Sequence, residues 1–183
     1  MLFRSVALIK NIFNTMGHTF FIPDFFAHCT KLIRKMRLGM MYMSLTLLRI
    51  RKNRATFSAA GMPPILLYRA GTGSVEQLVL KGLPLGGFES AAYEQKSVSF
   101  SDGDTLLLMT DGYVELFNPD LESMDYPRII KIMEEHGGKP AGEIIEILVR
   151  KGKEWAAGHP QGDDITFIVL KFSGNAQNTN ESN

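Results

Sequence analysis

The order of apolar patterns predicts an α+β chain. Three observations carry that expectation: helix-spaced apolar residues open the sequence, short strand-like runs separated by turn residues fill its middle, and two helical stretches precede a last apolar strand. Leu2, Val6, Ile9 and Phe13 recur at helical spacing, and Phe25, Cys29, Leu32, Ile33 and Met36 do so again after the helix-start pair Pro23-Asp24. Lys31, Arg34, Lys35 and Arg37 fall on the opposite, solvated face of this second helix rather than forming a nucleic-acid patch.

Residues 42–50 and 55–60 read as strands joined in a hairpin across Arg51-Lys52-Asn53-Arg54. Residues 65–68 and 75–80 repeat the arrangement around Ala70-Gly71-Thr72-Gly73-Ser74, where no strand-to-helix transition follows and a hairpin turn is expected rather than a phosphate-cradling loop. Residues 93–100 alternate as a strand, Ser101-Asp102-Gly103-Asp104 supplies a turn, and residues 105–109 form an apolar strand. Helices are expected over 127–135 and 141–155, divided by Gly137-Gly138. The run 165–172 is so continuously apolar that it predicts a strand central in its sheet. Residues 173–183, rich in Asn and Ser, read as a disordered tail.

Composition narrows the function. Twenty Lys+Arg against 19 Asp+Glu leave a net charge of +1, so no global field draws the chain to nucleic acid or to an acidic membrane. No apolar run reaches the roughly 20 residues of a membrane span. The single cysteine, Cys29, has no intrachain partner and sits at an apolar helix position, as a buried structural thiol would; a single soluble domain in a reducing cytoplasm is expected.

Two acidic turns carry the chemistry. Asp111 follows the strand 105–109 and precedes Gly112, whose missing side chain allows a close approach of backbone; Asp163-Asp164 precedes the last strand. Either turn alone reads equally as ordinary turn chemistry. Together they place carboxylates where buried strands emerge, the arrangement that holds a hard divalent cation, and adjacent carboxylates repel unless a cation or donors offset them. Asp102-Gly103-Asp104-Thr105 superficially resembles the aspartyl-nucleophile signature of haloacid-dehalogenase-like enzymes, but it leads into a strand among hairpins, and turn chemistry accounts for it. His18, His28, His136 and His159 show no zinc spacing; His159 stands close before the acidic pair without being assigned a role.

Four segments occur in order: Ala59-Ala60-Gly61-Met62-Pro63-Pro64 with the strand that follows, Gly82-Leu83-Pro84-Leu85-Gly86, the strand ending in Thr110-Asp111-Gly112, and Gly162-Asp163-Asp164-Ile165-Thr166. In these the chain resembles the SpoIIE branch of metal-dependent serine/threonine protein phosphatases of the PPM type, over residues 1–172. The resemblance implies a β-sandwich flanked by helices in α-β-β-α layers, with two Mn2+ or Mg2+ ions at one end. It implies Asp111 and Asp163 as catalytic metal ligands, Asp164 as the adjoining metal-site acid, and Gly112 as the residue that packs the loop near the metals. In such enzymes the ions hold phosphate and activate a water that attacks phosphorus in line. The implied substrate is phosphoserine or phosphothreonine on a STAS-type anti-anti-sigma protein, within sigma-factor regulation.

The chain departs from the family pattern twice. Met62 stands where the family's Ala-Gly-His-Pro-Pro motif has His, and no Asp-Val-Ser-Gly-His-Gly-like segment, which supplies a bridging carboxylate, precedes the first helix. The expectation is therefore a partial phosphatase domain, truncated at its N-terminus, with weak activity and with uncovered sheet edges open to self-association. A noncatalytic remnant that binds its partner without hydrolysis is the alternative.

Overall fold

Helix α1 (Leu2–Met16) begins the fold in the computed structural model, which describes residues 2–16, 20–35, 42–88 and 91–174. The chain divides into two compact units, Met1–Met62 with Leu80–Ser99 and Pro63–Val79 with Phe100–Asn183.

In the first unit, α1 is followed by α2 (Ile22–Lys35) and by a three-stranded antiparallel sheet in the order β1 (Leu45–Arg51), β2 (Arg54–Ala60), β5 (Lys96–Ser99). Ile22, Phe25, Phe26, Cys29 and Ile33 give α2 one fully apolar face, and they pack with Ile9 and Ile12 of α1. Phe20 stacks on Phe25, Phe13 meets both edge-on, and Tyr93 meets Phe26 edge-on. Such ring pairs each add about 0.5–1.5 kcal/mol beyond the area they bury. Burial pushes the Cys29 thiol up to about 12, well out of the reactive range, as a structural cysteine requires. Lys31, Arg34 and Lys35 stand in solvent as expected, while Met36 and Arg37 lie outside the described residues.

The second unit holds a four-stranded antiparallel sheet in the order β4 (Ser74–Leu78), β3 (Ile65–Arg69), β6 (Thr105–Met109), β7 (Phe167–Lys171). Between β6 and β7 the chain forms α3 (Asp111–Val114), α4 (Tyr126–His136) and α5 (Ala141–Ala156). Helix α4 lies against β3 and β4, and α5 against β7. Asp125 caps α4, its side chain accepting from the Arg128 N–H at 3.1 Å, and Pro127 fits the first turn. The interior joins Leu66, Leu107 and Met109 of the sheet to Ile129, Met133, Ile144 and Leu148 of the helices.

Asp102-Gly103-Asp104 forms the expected turn, and Asp104 explains why it is acidic. Its carboxylate, 1% exposed, accepts from Ser101 N–H at 3.0 Å, Ala70 N–H at 3.0 Å and the Arg69 guanidinium at 2.9 Å. Burial alone would raise its pKa, but these donors outweigh it and hold the group below the ordinary carboxylate range. The residue is a structural tether.

Two expectations need correction. The last strand, expected to be central and covered on both faces, has one neighbour, β6, among the described residues, and Ile168 on it is exposed: a continuous apolar run fixes neither a strand's neighbours nor its burial. Asp111 opens a short helix rather than a loop. The expected tail is described only to Gly174; residues 175–183 lie outside the described set.

Candidate metal centre

Strand β6 is buried along most of its length and delivers Thr110 and Asp111 at its end. Thr110 adopts extended backbone and Asp111 starts α3, so the chain turns sharply where the acid emerges. Thr110 also ties this turn to the second one. Its N–H donates to the Thr166 carbonyl at 3.2 Å, its hydroxyl donates to the Asp164 carbonyl at 3.0 Å, and the same hydroxyl accepts from the Thr166 N–H at 3.0 Å.

Gly112 completes the junction. A Cβ built on it would lie 2.6 Å from the Asp164 carbonyl oxygen and 3.2 Å from that of Asp163, so any side chain would push the acidic turns apart. The close neighbour of Gly112 is the acidic turn's own backbone. The turn at 161–164 is further shaped locally: Gln161 Nε2 donates to the Asp163 carbonyl at 2.7 Å, and the Asp164 N–H donates to Asp163 Oδ1 at 2.7 Å.

The structure thus sets the backbone of Gly112 and the Thr110 hydroxyl against the carbonyls of the Asp163-Asp164 turn in the second unit. All three carboxylate residues, Asp111, Asp163 and Asp164, are exposed, so solvent screens the repulsion between the adjacent pair and no burial cost falls on them. Among the described residues no group of three or more His, Cys, Asp or Glu side chains is gathered into a ready metal cluster. The donor set is nonetheless of the right chemical type: hard carboxylate oxygens facing water, which suits Mg2+ or Mn2+ that keep several waters.

Helix α3 is held from below by α5. Tyr113, 1% exposed, donates its hydroxyl to the Leu148 carbonyl at 2.8 Å and meets Phe167 edge-on, and Gly152 leaves the room its ring occupies. Trp155 Nε1 donates to the Leu116 carbonyl at 3.0 Å, with the Arg128 guanidinium 4.3 Å over its ring. A cavity of about 510 Å3 opens beside these residues, lined by Tyr113, Lys153, His159, Gln161, Ile165 and others. His159 therefore stands beside the acidic turn, while His28 and His136 lie elsewhere and His18 is outside the described residues.

Sequence reasoning missed Thr110, Gln161 and Tyr126. Burial raises the pKa of the Tyr126 hydroxyl, and the negative charges of Asp111 and Glu115 raise it further, which places this phenol in the field of the site. Thr110 alone had a legible signal, a hydroxyl at the strand end beside the acid.

A match to the family of Stage II sporulation protein E (SpoIIE) spans residues 5–173. The chain is 26% identical over 121 residues to phosphoserine phosphatase RsbP of Bacillus subtilis (strain 168), covering 66% of this chain and 28% of that protein. It is 28% identical over 123 residues to phosphoserine phosphatase RsbU of the same organism, covering 66% of this chain and 35% of that protein. It therefore spans about a third of the length of these relatives. In fold it is similar to the SiaA-PP2C domain of Pseudomonas aeruginosa, with a TM-score of 0.78 at 22% identity over 92% of this chain and 68% of that one. It is also similar to the phosphatase domain of SpoIIE from Bacillus subtilis presoaked with Mn, with a TM-score of 0.62 at 19% identity over 94% and 74%. The α+β architecture is that of PP2C domains, and with its match running almost from end to end the chain belongs to the SpoIIE family.

Proposed function

We propose that residues 1–172 serve as a divalent-metal-dependent protein phosphatase domain acting on phosphoserine or phosphothreonine. The observation that carries this reading is the junction of the two acidic turns, with Gly112 against the Asp163-Asp164 backbone and Thr110 bonded to both sides. Asp111 and Asp163 are the ligands in this reading, with Asp164 beside them, and Mn2+ or Mg2+ the ions. When bound, such ions supply charge stabilisation for phosphate and an acidified water. The chain's own part is to hold the two acidic turns at one junction and to keep their carboxylates open to solvent.

The substrate in this reading is a phosphorylated STAS-type protein of a sigma-factor circuit, in the cytoplasm. Its support is the relation to RsbP and RsbU, both phosphoserine phosphatases. No helix among the described residues is long and apolar enough to cross a membrane.

Hydrolysis of an aryl phosphate in the presence of Mn2+, followed by dephosphorylation of a phosphorylated STAS protein, tests the proposal. Expected is metal-dependent turnover that Asp111→Asn and Asp163→Asn each reduce at least about a hundredfold, in line with removal of a transition-state charge stabiliser. Turnover unchanged in both variants overturns the site. Binding of the phosphorylated partner without turnover overturns the enzyme and leaves a noncatalytic binding module.

A further inference from the structure

Asp163 stands at the head of a run of held peptide groups. The 163–164 peptide is gripped on both sides, its carbonyl accepting from Gln161 Nε2 at 2.7 Å and its N–H donating to Asp163 Oδ1 at 2.7 Å. The three peptides that follow all meet Thr110. The Asp164 carbonyl accepts from the Thr110 hydroxyl at 3.0 Å, the Thr166 N–H donates to that same hydroxyl at 3.0 Å, and the Thr166 carbonyl accepts from the Thr110 N–H at 3.2 Å.

One oxygen atom thus serves two of these peptides, donating to one and accepting from the other. A hydroxyl combines both functions on one atom, where a carboxylate only accepts, an ammonium only donates, and an amide divides them between two atoms. Strand β6, which ends beside Thr110, is paired on both sides, with β3 and β7, so the bridge starts from a fixed point. It also starts from the residue next to Asp111. At its far end, Asp163 Oδ1 accepts from the Asp164 N–H, so the direction of that carboxylate follows the tilt of the 163–164 peptide.

We propose that Thr110 is a positioning residue for the metal centre: its hydroxyl fixes the peptides after the acidic pair, and through them the direction in which Asp163 presents Oδ2 beside Asp111. The proposal rests on the reading of Asp111 and Asp163 as ligands of one site. A bridge that served stability alone would be felt in unfolding and not in the metal affinity of the folded chain. Reciprocity adds a second consequence: a bridge that strengthens metal binding is itself strengthened when metal binds.

Calorimetric titration of Mn2+ into the full chain and into Thr110→Val, Thr110→Ser and Asp111→Asn tests this, with circular dichroism confirming that each is folded. Valine keeps the shape and strips both hydrogen-bonding functions, and is expected to raise the Mn2+ dissociation constant about tenfold or more. Serine restores both functions and is expected to stay within about threefold of wild type. In the wild-type chain, Mg2+ is expected to slow amide exchange at Thr166 more than at the amides of β2; this measurement decides the matter should the valine variant fail to fold. Thr110→Val binding as wild type does while Asp111→Asn is weakened overturns the positioning role and leaves the two acids as ligands, as does Thr166 exchange that Mg2+ leaves unchanged in a chain that binds it. A wild-type chain that binds no metal, or an Asp111→Asn variant that binds as wild type does, overturns the positioning role together with the site.

Discussion

The two units solve the problem of stability differently. The first packs mainly hydrocarbon and rings: Phe13, Phe20, Phe25 and Phe26 meet one another, and its buried hydroxyls, Thr30 and Ser58, bond to Tyr93 at 2.9 Å and to the Glu94 carbonyl at 2.7 Å. The second places charged and polar groups inside and satisfies each with backbone partners, as Asp104 does at Ser101 and Ala70, Thr105 at the Gly137 carbonyl, and Tyr113 at the Leu148 carbonyl. The difference follows from what each unit positions. Apolar packing resists separation but is indifferent to small slides, whereas a buried hydrogen bond fixes an atom to a direction and a distance. The unit that must hold two acidic turns at one junction is the one built with directional contacts.

The largest expected effect separates the units. Phe25→Ala removes a fully buried ring from the first core and lowers stability by about 3–5 kcal/mol in denaturant titration, while Mn2+ affinity of the folded variant stays unchanged. A parallel loss of affinity would break the comparison. Asp104→Ala is expected to cost about 2–3 kcal/mol, because it leaves two N–H groups without their acceptor; Arg69 retains Glu76. Gly112→Ala costs about 1–3 kcal/mol by overpacking, and unlike Phe25→Ala it weakens Mn2+ binding as well, since the added methyl displaces the Asp164 carbonyl. Tyr113→Phe, which strips one buried hydrogen bond, is expected near about 1 kcal/mol. Lys139→Ala, at an exposed pair with Glu143, shifts stability by no more than about 0.5 kcal/mol.

Acid sharpens the same contrast. The Asp104 pKa is lowered in the folded state, so its contribution is present above the ordinary carboxylate pKa and is lost as pH falls through the depressed folded value. Thermal melts from neutral to acidic pH are expected to show a decline in wild type that Asp104→Asn reduces.

Much of this architecture was legible beforehand, for physical reasons that differ by element. Strand β6 was read at its true bounds because a five-residue apolar run lies between two acidic turns, and α5 within a residue because sixteen residues give the helical period room to show. Helix α3 was not legible, since four residues are too few for any period. That β7 has one neighbour among the described residues depends on pairing partners that no local pattern encodes. The candidate acids were found through their placement at strand ends, and Gly112 through its missing side chain. Thr110 and Gln161 were missed because their roles lie in contacts with backbone of the opposite turn and of a near neighbour, which depend on how the loop folds.

Calorimetric titration of Mn2+ into the wild-type chain, Asp111→Asn, Asp163→Asn and the double variant bears most directly on the claim that acids from two turns form one site. Expected is binding in wild type, a loss of about tenfold or more in each single variant, and a double variant scarcely worse than either, as coupled ligands of one ion require. Single losses that add in full, or variants that bind as wild type does, would show that the two turns do not share an ion.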